Sequence, residues 1–160
     1  DDDFVTQRAI RVARLRMVPV QPGEHASVIP FERSFDSQLG LTYDRIEPEE
    51  VLAHLEVRPD LLDRNGRLQG GVFMAAAEGT ASMGTAAGVM PDGMIASGMA
   101  NDTSVVGDLT EGRMTVLARR RASRPDLWTW DVEARDGDGR TCALSKVLIA
   151  VRPRRGALTA

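Results

Sequence analysis

Cysteine is all but absent: Cys142 is the only one in 160 residues. That excludes an internal disulfide framework, a thiolate metal cluster and a CxxC redox pair, and makes a reducing cytoplasm the expected compartment. Lysine is equally scarce, with Lys146 alone, so the cationic side chains are almost all arginine. This bias fits genome composition as well as it fits selection for bidentate anion contacts. There is no basic excess, since the formal net charge is -3, which speaks against a nucleic-acid partner. No window approaches the roughly 18 consecutive apolar residues that a membrane span needs. The start, "DDDFVTQRAIRVARLRM", lacks the order of basic region, apolar core and small-residue cleavage site that marks a secretory signal. The two histidines, His25 and His54, stand far apart with no companion ligand spacing, so no metal site is expected.

Hydrophobic residues at 42% and charged residues at 27% are ordinary for a folded domain. The length suits one domain with a proper core. Residues 1–30 read as an arm and linker: Arg8, Arg11, Arg14 and Arg16 alternate with apolar residues, and "VPVQPGEHASVIP" then supplies three prolines and a glycine. The arm fits either a basic amphipathic helix or an imperfect strand, packed on the domain or on a partner subunit. The folded body is expected over 31–153, with 154–160 as a tail.

Within that body, "PFERSFDSQLG" has Pro30 near a helix start and Gly40 suited to a C-terminal cap. "GLTYDRIEPEEVLAHLEVRP" gives two short strands, with Val51, Ala53, Leu55 and Val57 alternating. A run of small residues follows to about Val89, where Pro91 and Gly93 end it. Gly79, Gly84 and Gly88 would each cost about 1 kcal/mol against alanine in an exposed helix, so this helix is expected to lie close against something. From Met94 onward the chain reads as four strands or nearly so, and "RDGDGR" between two alternating runs is a hairpin signal. Antiparallel strands with one long helix to cover a face make the class α+β.

Two stripes run along the long helix at helical spacing. Val72, Ala76, Gly79, Met83 and Ala86 suit a core contact, while Ala75, Glu78, Ser82 and Thr85 share another face. Glu78 is a lone acid among small residues. On a largely buried helix it must be solvated at a cleft, paired or held neutral, which makes it a candidate base or nucleophile; an inconsequential exposed residue is the alternative. Gly70 and Gly71 mark the helix start, where free N–H groups and the positive dipole end can hold an oxyanion, or where a tight entry simply needs glycine.

The segment "LLDRNGRLQGGVFMAAAEGTAS", with the later antiparallel run and its "DGDG" hairpin, resembles the hot-dog-fold acyl-CoA thioesterases. It is most similar to the branch of phenylacetate-pathway thioesterases and of the 4-hydroxybenzoyl-CoA thioesterase with a glutamate on its central helix. That branch carries an amide residue, a short glycine-containing loop, HGG, and then an acid eight residues after the first glycine. The resemblance covers roughly Phe31 to Pro153. It implies an antiparallel sheet of five to six strands wrapped around one long central helix, and hydrolysis of an acyl-CoA or acyl-carrier thioester. It assigns Glu78 as base or nucleophile, Gly70 N–H as the donor to the thioester carbonyl, and Ser82 as holder of the attacking water or orienter of the acid.

CoA then enters as part of the substrate, with no separate cofactor. The resemblance further implies a homodimer or homotetramer with active sites shared between subunits. Two positions depart from the pattern: Gln69 stands where the branch has histidine and Asp63 where it has asparagine or glutamine. Gln69 keeps a side-chain donor. Asp63 beside Glu78 would set two carboxylates in competition and raise one pKa, with Asn65 as a substitute amide if the loop is shifted.

A non-catalytic acyl-CoA-binding domain is the alternative that these departures favour. A hydratase of the same fold ranks behind it, because such enzymes rely on a histidine and the loop-helix segment has none. Ser97 and Asn101, on the strand expected beside the helix, fit an ordinary polar strand face better than a cleft. Trp128 and Trp130 fit packing on one sheet face. Arg119, Arg120, Arg121 and Arg124, with Arg152, Arg154 and Arg155, are candidates for CoA phosphates or plain solvated strand ends.

Overall fold

A computed structural model describes residues 31–153. The arm expected over 1–30, including His25, and the tail over 154–160, including Arg154 and Arg155, lie outside the described residues. Helix α1 (Phe35–Leu39) starts at Ser34, whose hydroxyl accepts from Ser37 N–H, and stops at Gly40, which takes the left-handed φ of 87° that a side chain would strain. Strands β1 (Thr42–Ile46) and β2 (Glu50–Glu56) form the first antiparallel pair. On β2 the expected alternation puts Val51, Ala53 and Leu55 in the core, each fully buried.

The small-residue run is helix α2, Gly70–Val89. Strands β3 (Met94–Val105), β4 (Arg113–Ser123), β5 (Leu127–Arg135) and β6 (Thr141–Pro153) complete one six-stranded sheet in the order β1-β2-β4-β5-β6-β3. All pairings are antiparallel. The "RDGDGR" turn joins β5 to β6, with Gly139 at φ 81° and its N–H donated to the Asp136 carbonyl. Element order and fold class are those expected of a hot-dog domain.

The sheet wraps α2 so far round that the helix is buried on most sides, and the expected two-stripe division does not hold. Phe73, Ala77, Thr80, Ala81, Gly84, Thr85 and Val89 join Val72 and Ala76 in the core. Thr85 is fully buried, not on the Glu78 face, and accepts from the Trp130 indole N–H at 2.9 Å. Residues 78 and 85 are one heptad apart and lie nearly in line along the helix, so what separates them is how much of that side is covered at each level of α2: Glu78 is exposed and Thr85 buried. The glycines explain how closely helix and sheet meet: a Cβ at Gly84 would lie 2.4 Å from the Trp130 ring, and one at Gly88 equally close to Trp128. Both tryptophans are buried core residues, as their alternation suggests.

Because β3 is an edge strand, one side of α2 is flanked by a strand with no further neighbour among the described residues. Met74, Met99, Val105 and Val106 are exposed there.

Candidate active site

The N-terminus of α2 is built by its preceding loop. Asp63 accepts from the N–H groups of Asn65 at 2.7 Å and Arg67 at 3.1 Å, folding "DRNGR" into a tight turn with Gly66 at φ 76°. The loop is held to the sheet by Leu68 N–H, which donates to the Leu109 carbonyl. Gln69 then caps the helix: its side-chain oxygen accepts from Gly71 N–H at 2.6 Å. Val72 N–H donates to the Gln69 carbonyl. Gly70 N–H has no acceptor among the described residues, as the geometry of a helix start allows.

Gly70 opens onto a cleft of about 450 Å³ between this loop and the end of β3, whose lining includes Asp63, Arg67, Val105, Val106 and Asp108. Asp63 and Gly70 therefore share one cleft. The Asp63 carboxyl is held below its usual range, chiefly by the backbone N–H of Arg67 and then by that of Asn65. The rise expected for one of two competing acids is thus not found at Asp63, because its charge is spent on its own loop. Asn65 is exposed and contributes its backbone N–H to that turn.

Glu78 lies two turns into α2, exposed, and makes no hydrogen bond or ion pair with any described residue. Its carboxylate packs on the backbone of β3: a Cβ at Gly98 would fall 2.1 Å from Glu78 Oε1. Ser82 is half-buried one turn further along. One turn before Glu78, Asn101 Nδ2 donates to the Met74 carbonyl at 2.8 Å. Thr103 Oγ1 in turn donates to Asn101 Oδ1 at 2.8 Å, and lies 2.7 Å from Ser145 Oγ. Asn101 is therefore a tie between strand and helix, while Ser97 is exposed. Gly98 escaped the reading of the sequence, although an isolated glycine inside a strand pattern signals a bulge or a close backbone approach.

No family model matches the chain. Among curated relatives, "Putative esterase Rv1847" of Mycobacterium tuberculosis is 37% identical over 98 residues, 59% of this chain and 70% of that protein. A "Putative esterase" of Deinococcus radiodurans is 32% identical over 110 residues, 69% of each. The solved structure of Rv1847/MT1895 superposes with a TM-score of 0.73 at 31% identity, over 76% of this chain and 98% of that one. Thioesterase PA1618 of Pseudomonas aeruginosa, solved as a mutant, shares the fold with a TM-score of 0.73 at 24% identity, over 77% and 88% of the two chains.

The chain belongs to the hot-dog-fold thioesterase family. A further relative, 1,4-dihydroxy-2-naphthoyl-CoA hydrolase of Listeria monocytogenes, is 25% identical over 117 residues, 73% of this chain and 94% of that protein.

In this hot-dog thioesterase the arginines of the "RRR" run are already engaged. Arg119 pairs with Glu50, Arg120 with Glu49 and Arg121 with Asp131, at 2.8, 2.9 and 2.6 Å. Arg120 also stacks over the Trp128 ring at 4.5 Å. Arg124 and Arg152 carry no ion pair among the described residues. A second concavity, about 370 Å³, lies on the outer face of the sheet between Asp102, Arg119, Asp131 and Lys146. Of the candidate residues it is lined by Arg119 and Arg121 but by neither Gly70 nor Glu78, and its charges largely neutralise one another, with Asp131 between Arg121 and Lys146.

Elsewhere His54 bonds Asp44 through Nδ1 at 2.7 Å. Among the described residues no three metal-ligating side chains converge, and no helix is long and apolar enough to cross a membrane.

Proposed function

We propose that the chain hydrolyses an acyl-CoA thioester to a free acid and a thiol. The observation that carries this reading is the pair of groups on α2 that have no partner among the described residues: the backbone N–H of Gly70, and the carboxylate of Glu78 two turns along the same helix. Gly70 N–H and the positive end of the helix dipole polarise the thioester carbonyl and hold the oxyanion that forms on it. Glu78 takes a proton from water as the water oxygen bonds to the carbonyl carbon. When the tetrahedral adduct collapses, the C–S bond breaks and the thiolate recovers that proton from Glu78. Direct attack by the Glu78 carboxylate, giving an anhydride that water then cleaves, uses the same two groups. Ser82, on the following turn, holds the water or steers the acid in this reading. Gln69 acts by holding the helix cap in shape, leaving Gly70 N–H free for substrate.

The reading includes a homodimer or homotetramer with shared sites. Its support is the apolar open edge at β3, where Met99 is 60% and Val106 58% exposed. An uncovered apolar edge strand invites pairing with another chain.

The test is turnover of acetyl-, hexanoyl-, palmitoyl- and benzoyl-CoA, followed by thiol release. Glu78→Gln is expected to lower kcat by about a hundredfold or more, the range for loss of a general base, with an unchanged melting temperature. Full turnover in that variant sinks the assignment. A non-catalytic acyl-CoA-binding domain is the second reading, favoured by the commitment of Asp63 to its own loop. It predicts thermal stabilisation by the same CoA esters with no thiol released by the wild type.

A further inference from the structure

Strand β3 runs beside α2 with opposite polarity, so that Gly98 meets Glu78, Asn101 meets Met74 and Val105 meets Gly70. In a regular strand, residue 98 faces one side of the sheet while 101 and 105 face the other. The ladder between β3 and β6 shifts register between Gly98 and Ala100, which inserts Met99 and moves the helix-facing side from even to odd positions. Gly98 and Asn101 can both face α2 only because of that bulge.

Glycine at 98 is not required by backbone conformation, since its φ is not among the positive values at Gly40, Gly66, Gly93, Gly112 and Gly139. It is required by space, and the space is occupied by one side chain: the three atoms nearest a Cβ there are Glu78 Oε1, Cδ and Cγ, at 2.1, 2.7 and 3.3 Å. The strand cannot easily back away, because the Asn101–Met74 hydrogen bond fixes its distance from the helix one turn from Glu78.

We propose that Gly98, presented by the bulge at Met99, is the positioning residue for the Glu78 carboxylate. By leaving the strand surface bare it lets the acid lie along the β3 backbone, which sets where its oxygens stand relative to a carbonyl held at Gly70. A side chain at 98 lifts the acid off that surface. This inference rests on the reading of Glu78 as the reacting acid.

The test is a cycle of Gly98→Ala and Glu78→Asp, singly and together, in the full chain, with the same four CoA esters and thermal melting as readouts. Gly98→Ala is expected to lower kcat by about tenfold or more, with KM held within about twofold, since a displacement near 1 Å is enough for such a loss. In the Glu78→Asp background the same change should cost less, because the contact at 2.1 Å is gone and only atoms in the places of Cδ and Cγ, at 2.7 and 3.3 Å, still meet the new methyl. If Gly98→Ala alone does not fold, the double variant should fold, its closest contact having been removed. Unchanged kcat in Gly98→Ala, equal losses in both backgrounds, or a double variant that does not fold overturns the proposal. Full turnover in Glu78→Gln instead overturns the catalytic reading itself, whatever Gly98→Ala does.

Discussion

Asp63 faces the same cleft as Gly70 and carries a charge of the sign that the oxyanion develops. Its lowered pKa means that the charge stabilises the folded loop at every pH above the unfolded aspartate value of about 3.9. That contribution is lost as pH falls through the lower folded value. The carboxylate is well solvated, so the stability at stake is small. The effect on an oxyanion is a separate matter, because like charges that share one cleft repel each other. Asp63→Asn keeps an oxygen to accept from the N–H groups of Asn65 and Arg67 while removing the charge. The expected outcome is a kcat/KM for acyl-CoA raised about two- to tenfold across neutral pH, with little change in melting temperature at pH 7. Steady-state thiol release checks it, and a fall in kcat/KM speaks for a carboxylate that takes part in the reaction.

At the scale of the element, α2 sets helix propensity against close packing. Replacing a helical glycine by alanine gains about 1 kcal/mol where there is room. At Gly84 there is none, since the new methyl would lie 2.4 Å from the Trp130 ring and 2.7 Å from Val51. Trp130 is held in place by its bond to Thr85, and overpacking a fixed core costs about 1–3 kcal/mol. Packing therefore wins: Gly84→Ala is expected to destabilise by about 1–2 kcal/mol in denaturant unfolding, although the same substitution favours an isolated helix. The glycines of this run made close packing legible in the sequence, as the alternating Val51, Ala53 and Leu55 made β2 legible and "DGDG" the last hairpin. The position of Thr85 was not legible, because spacing along a helix assumes one buried face and the wrapped sheet buries most of the circumference. Glu78 and the N-terminal location of Gly70 could be read from local pattern. The partnership of Glu78 with Gly98 could not, since it depends on a one-residue bulge that reverses which β3 side chains face the helix.

For the whole molecule, the open edge decides whether one chain is enough. Strand β3 ends the sheet and lies along the side of α2 that carries Met74 and Glu78, with Met99, Val105 and Val106 exposed around it. Edge strands that remain alone are usually short, charged or covered. This one has 12 residues, and Asp102 is its sole charge. A second copy meeting it would bury apolar surface at roughly 25 cal/mol per Å² and bring the site at Glu78 to a subunit boundary. Met99→Lys places a charge at the bulge without altering α2, and Met99 is exposed enough in the single chain to accept it. Sedimentation of the wild type should give a dimer or tetramer, and the variant should dissociate at concentrations where the wild type does not. Its specific activity should then rise with protein concentration, because association restores the shared site. A wild type that sediments as a monomer with full acyl-CoA turnover removes the second copy from the mechanism and leaves the site to Gly70, Glu78, Ser82 and Gly98 of one chain.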